Sequence, residues 1–229
     1  MLPIKDLNRS LTKPHVNRLL IIVNVIVFSV MLLSDIGYIK SSFVVNIGEN
    51  FAMYPYYIVQ GEKLYTLFTS MFLHAGWLHI IGNMLFLYIF GDNVEDIFGH
   101  AKYLIFYLIC GLVADFTYIL SVPSFTPLDA VVGASGAISG VLGAYLVLFP
   151  KAKILTIVFF GWVLLLPIPA IIFLGVWFVM QWFSAFFEIG SNIAFWAHIG
   201  GFVAGMFLAL TIGLRRKKAR QARYSVYSK

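Results

Sequence analysis

Residues 72–83 read FLHAGWLHIIGN, and with their apolar neighbours they form a run over 71–91. A helix needs about 20 predominantly apolar residues to cross the hydrocarbon core of a bilayer, and this run has that length. Yet it carries His74, His79 and Asn83. Polar groups in hydrocarbon are costly and are kept for a reason, so the stretch predicts a membrane helix with a functional face. His79 and Asn83 are four residues apart and therefore share one side of that helix.

The rest of the chain agrees with lipid as the solvent. Of 229 residues, 61% are hydrophobic and 11% charged, too little polar surface to wrap a soluble globule. The formal charge of +6 could point to nucleic acid, but most basic residues lie in Lys5 to Arg18 and Arg215 to Lys229. Such clusters anchor membrane proteins on the cytoplasmic side, so no nucleic-acid partner is expected, and membrane lipids are. Cys110 lies in an apolar run and can form no internal disulfide. The run Leu19 to Leu33 follows basic residues as a signal peptide would, but Ser34 to Tyr38 lacks a small-x-small cleavage pattern. It reads as an uncleaved first span.

Further runs occur near 17–34, 102–121, 133–150, 168–187 and 194–214, which with 71–91 predicts six transmembrane helices. Ile154 to Phe187 is too long for one crossing and is broken by Pro167 and Pro169. A seventh short span there would put the two basic ends on opposite sides. With six spans and both ends inside, 14 of the 16 Lys and Arg residues are cytoplasmic, leaving Lys40 and Lys63 outside. Ile154 to Leu166 is then expected to lie along the inner interface or to re-enter. The connection Ser34 to Ser70, rich in aromatics and Met, is expected to hold structure dipped into the outer interface. The fold class expected is an all-α polytopic bundle over 19–214, flanked by basic segments 1–18 and 215–229.

Two other even-numbered spans carry polar interruptions: GASGAISG around Ser135 and AFWAHIGGFVAG around His198. Even-numbered spans run in the same direction, so sequence position converts to depth at about 1.5 Å per residue. Ser135 falls at the outer mouth, His198 roughly 6 Å in and Asn83 about 10–14 Å in. Gly136 and Gly140, with Ala197, Gly201 and Gly205, form small-xxx-small rows that allow close helix approach. A serine becomes nucleophilic when a base within about 2.6–3.2 Å takes its proton, and histidine suits that task. An Asn amide, a His N–H and the Ser135 backbone N–H would serve a developing oxyanion.

Blander readings exist for each feature. A serine between glycines recurs in bundles with no catalysis, and a lone intramembrane His also serves as a helix-helix hydrogen bond or proton relay. His74 reads as structural, Asp115 and Glu95 as paired or snorkelling groups, and the stripes around Trp177 and Trp182 as packing.

Four motifs in order, HAGWLHIIGN, GDNVEDIFG, GASGAISG and AHIGGFVAG, resemble the rhomboid intramembrane proteases over about Tyr65 to Gly205. The resemblance implies a six-helix fold and a serine endopeptidase needing no cofactor or metal. Its partners would be single-span transmembrane protein substrates, cut at small residues near a helix-weakening segment. It implies Ser135 as nucleophile, His198 as general base, and His79 and Asn83 as oxyanion-stabilising residues. His74 would be structural, and Glu95 would hold the helices at the inner turn. Two departures stand out: Tyr65-Thr66 replaces Trp-Arg, and Ser139 replaces an aromatic ring that stacks on the histidine in some members. The expected location is the plasma membrane, both ends cytoplasmic and the site opening outward. A non-catalytic escort of transmembrane proteins would lack the serine or histidine. A transporter would spread its polar groups along a path rather than at one level.

Overall fold

The computed structural model describes residues 1–35, 38, 40–121, 124–187 and 193–227. Of the segment read against a cleavage site, Ile36 and Gly37 lie outside the described residues, as do Ser228 and Lys229 of the expected tail. Each expected span holds a helix: α1 (His15–Asp35), α5 (Trp77–Phe98), α6 (His100–Ser121), α7 (Ser135–Leu148), α8 (Ala170–Phe187) and α9 (Phe195–Leu208). Helix α9 runs through a π-helical turn, Ala209–Gly213, into α10 (Leu214–Tyr227). Among the described residues four stretches qualify as membrane spans by length and composition, or five if Thr66–Phe72 and Trp77–Phe98, bent by 94°, count as one.

Helix α7 is the exception, because its 14 residues reach only about 21 Å against a hydrocarbon core of about 30 Å. It is also the most enclosed element, ringed by α5, α6, α8 and α9 and buried along nearly its whole length. A helix that meets protein on every side need not match the bilayer. Ala, Gly and Ser dominate its first half, and that is what admits the ring of neighbours.

The connection ahead of α5 folds into α2 (Ser41–Phe51), α3 (Pro55–Ile58), α4 (Thr66–Thr69) and a 3-10 turn at Ser70–Phe72. Met53, Ile58 and Leu67 give it a small core of its own. Met53 and Val131 exchange backbone hydrogen bonds of 3.1 and 2.7 Å, which ties the segment to the loop leading into α7.

The all-α expectation is corrected between α7 and α8. Residues 154–166, read as an interfacial or re-entrant stretch, belong to an antiparallel hairpin of β2 (Lys153–Phe160) and β3 (Trp162–Pro169), turning at Gly161 with φ +77°. The strand β1 (Leu2–Asp6) pairs with the other side of β2. Pro167 and Pro169 break helices, but they are tolerated on β3 because it is an edge strand. The β-branched and aromatic run ILTIVFF on the near side of Gly161 favours the extended form.

The first residues are not a loose tail. Asn8 donates to Asn93 Oδ1 at 2.7 Å, Ser10 to Asp92 at 3.0 Å, and Asn93 to Asp6 at 2.7 Å. Burial pushes the Asp6 carboxyl from an ordinary 3.8 up to about 6, against the pull of the neighbouring Tyr145 hydroxyl and the Asn8 N–H. A carboxyl raised in this way binds its proton more tightly in the folded state. Its contribution to stability is complete below about pH 4 and is lost as the pH rises to about 6. Asp6→Asn stays neutral throughout, so its melting temperature should match wild type near pH 4 and exceed it above pH 6. A difference that does not change across that range would contradict the burial.

Glu95, 1% exposed, caps the start of α1, accepting from the Val16 N–H at 2.9 Å and the Asn17 N–H at 2.7 Å. The carboxylate meets the positive end of the helix dipole, and His100 Nδ1 lies against it. The Asn17 side chain spans the same joint, donating to the Leu87 carbonyl at 2.9 Å and accepting from the Tyr103 hydroxyl at 2.8 Å. Glu95→Ala strands buried N–H donors and should cost about 2–4 kcal/mol, read as a lower melting temperature in detergent. A melting temperature equal to wild type would show that α1 is held by its apolar face alone.

Candidate active site

Ser135 is the first residue of α7 and His198 lies in the first turn of α9. His198 Nε2 is 2.8 Å from Ser135 Oγ, within the reach that proton transfer requires. What brings two helix backbones this close is an interlock of glycines. A Cβ on Gly201 would collide with the Gly136 carbonyl oxygen, and one on Gly205 with the Gly140 carbonyl oxygen. On the other side of α7, a Cβ on Gly136 would come within 2.6 Å of Ala114 Cβ on α6.

The loop before Ser135 is shaped by Gly133, whose φ of +123° excludes most L side chains. Its N–H donates to the Ser70 carbonyl at 2.9 Å. A Cβ there would fall 2.6 Å from His79 Nε2 and 3.8 Å from Asn83 Nδ2. The structure thus brings His79 and Asn83 against the loop two residues ahead of Ser135. Asn83 is 8% exposed, and among the described residues its Nδ2 has no hydrogen-bond partner. The Ala75 N–H points at His79 Nδ1 across a long 3.5 Å contact, an arrangement that suits an N–H on Nε2. The first helical hydrogen bond of α7 is donated by Ile138, to Ala134, and among the described residues no side chain caps the helix at Ala134. The backbone N–H groups of its first residues are therefore available as donors at the positive end of a helix.

His74, read as structural, is 1% exposed and meets His79 edge-on with ring centroids 5.0 Å apart. Thr66, in place of an arginine, is fully buried and donates to the Lys63 carbonyl at 2.7 Å. Ser139 donates back to the Ser135 carbonyl at 2.7 Å, one turn down its own helix. Two contacts to His198 come instead from α8, which the sequence reading passed over. Gln181 Oε1 lies 2.7 Å from His198 Nδ1, and the Trp177 ring, read as packing, has its centroid 6.1 Å from the imidazole. Gln181 carries the one side-chain amide in an 18-residue helix whose other side chains are apolar apart from Ser184, and that was a legible signal. Among the described residues no three His, Cys, Asp or Glu side chains converge as a metal site requires.

A family model of the Rhomboid domain matches residues 61–215, a stretch that contains every residue of this cluster. The chain belongs to the rhomboid family. It is 33% identical to Rhomboid protease GluP of Bacillus subtilis over 162 residues, covering 71% of this chain and 28% of that protein. It is 32% identical to the mitochondrial Rhomboid protein 1 of Saccharomyces cerevisiae over 162 residues, 67% of this chain and 43% of that one. Inactive rhomboid protein 1 of Rattus norvegicus is 31% identical over 149 residues, 65% of this chain and 16% of the relative. The chain thus spans less than half the length of these relatives. Rhomboid proteins are intramembrane serine proteases, with members named inactive among them, and this rhomboid chain is an integral membrane protein.

Proposed function

We propose that this chain is a serine endopeptidase that cleaves single-span transmembrane protein substrates with a dyad of Ser135 and His198. The observation that carries the reading is the 2.8 Å contact between His198 Nε2 and Ser135 Oγ, held by the glycine interlock. Ser135 Oγ attacks the substrate carbonyl carbon as its proton passes to His198 Nε2. The oxyanion takes donors from Asn83 Nδ2, His79 Nε2–H and the Ser135 backbone N–H. As the C–N bond breaks, the imidazolium returns the proton to the leaving amine. Water, deprotonated by His198, then releases the acyl group, and Ser135 recovers its proton.

The same reading counts α7 as a sixth, protein-enclosed span, with basic segments 1–18 and 215–229 on the cytoplasmic side and the site opening outward at the plasma membrane. The two basic ends and the common direction of α5, α7 and α9 support it. The test is cleavage of a panel of labelled transmembrane peptides by reconstituted protein, alongside fluorophosphonate labelling. The expected result is cleavage together with covalent label on Ser135. Wild type that binds the peptides but neither cleaves nor labels would favour a non-catalytic escort; one relative carries the name inactive.

A further inference from the structure

His198 touches more than Ser135. A neutral imidazole has one N–H, and the dyad works only if that hydrogen is on Nδ1, leaving the Nε2 lone pair for the Ser135 proton. The other tautomer would point an N–H at Ser135 Oγ, and no base would be present. The choice is set by what faces Nδ1, and the facing atom is Gln181 Oε1 at 2.7 Å, an acceptor that rewards Nδ1–H. With the Gln181 amide turned over, its NH2 would donate to Nδ1 and impose the unproductive form.

Helix α8 supplies both supports of the ring. Trp177 and Gln181 are four residues apart and so share a face, the indole 6.1 Å from the imidazole by centroids and tilted 35° to it. The hydroxyl of Ser139 is engaged by the Ser135 carbonyl within its own helix. An amide is also the acceptor that costs least here. A carboxylate between α8 and α9 would carry the penalty of an intramembrane charge, whereas a glutamine sets the tautomer without one.

We propose that Gln181 is a positioning residue that holds His198 in its Nδ1–H tautomer with Nε2 aimed at Ser135. The proposal rests on the dyad reading above. Gln181→Leu should lower kcat about tenfold to a hundredfold, with KM within about twofold of wild type, as losses of orienting partners generally do. Gln181→Glu keeps an acceptor oxygen at the same reach and should recover at least about threefold over the leucine variant. In wild-type protein labelled with 15N-histidine, the His198 resonances, assigned by their loss in His198→Ala, should report a protonated Nδ1 and an unprotonated Nε2. A Gln181→Leu turnover within about twofold of wild type, or a protonated Nε2 in the resting enzyme, overturns the proposal. The spectrum of the wild type decides the matter even if the leucine variant does not fold. Ser135→Ala in the same assay separates the two failures. Cleavage that survives it sinks the dyad itself, while a dead Ser135→Ala beside a fully active Gln181→Leu sinks only the positioning role.

Discussion

Ser135→Ala is expected to lower the rate of transmembrane-substrate cleavage by roughly 10⁴-fold or more, leaving the melting temperature unchanged. Both halves follow from the same contacts. Among the described residues the Ser135 hydroxyl meets His198 Nε2 at 2.8 Å, and the Ser135 carbonyl that accepts from Ser139 survives the substitution. Helix α7 therefore keeps its packing and loses only the Ser135 hydroxyl. His198→Ala should cost a similar factor, and the double variant no more than either single one, because nucleophile and base act as a unit. Residual activity in both would come from the oxyanion donors around Asn83 and His79. A Ser135→Ala rate within about tenfold of wild type would remove Ser135 from the chemistry altogether.

The second large effect concerns glycines that take no part in bond making. Gly201→Val is expected to reduce turnover by about 10²-fold or more and also to lower thermal stability. Any Cβ at this position runs into the backbone carbonyl oxygen of Gly136, which cannot swing aside as a side chain could. Helices α7 and α9 must part by roughly 1 Å or more to restore van der Waals distance, and misplacement on that scale costs about 10²-fold in a preorganised site. Ser135 and His198 sit on these two helices, so the separation falls directly on their 2.8 Å contact. Gly201→Ala should show the same pair of effects in milder form. Gly175 on α8 has open space where its Cβ would lie, so Gly175→Ala serves as the control and should behave as wild type. Gly201→Val with normal turnover would mean that the interlock does not set the dyad distance.

The two effects separate what the interlock and the dyad each contribute. One variant removes a reacting atom from an intact bundle. The other leaves every reacting atom and spoils the spacing.

Much of this was legible along the chain. Apolar runs near 17–34, 102–121 and 168–187 each hold a helix within a few residues of the expected limits. The polar interruptions His79, Asn83, Ser135 and His198 stand out because hydrocarbon tolerates few such groups, and the common direction of even-numbered spans put them near one depth. The small-xxx-small rows announced which helix faces meet. Each of these signals is local, or repeats with the helical period, and that is why one sequence suffices to read it.

What the tertiary structure decided is non-local. The stretch 153–169 carries prolines and a continuous apolar pattern, which periodicity does not assign to helix or strand; it folds as a hairpin whose β2 strand also takes β1, about 150 residues earlier in the chain, as a neighbour. Asp6, Asn8 and Ser10 find partners on the end of α5 that no spacing rule connects to them. Helix α8 is apolar apart from Gln181 and Ser184, so its pattern marks a polar position without saying which residue of α9 that position meets. Only the packed bundle brings Gln181 to Nδ1 of His198. The sequence alone marked the apolar stretches that form helices and the polar groups that interrupt them, because burial in lipid leaves its mark on composition and period. The rotation of each helix, and with it the choice of atoms that face His198, was settled by contacts between segments far apart in the chain, on which local periodicity has no bearing.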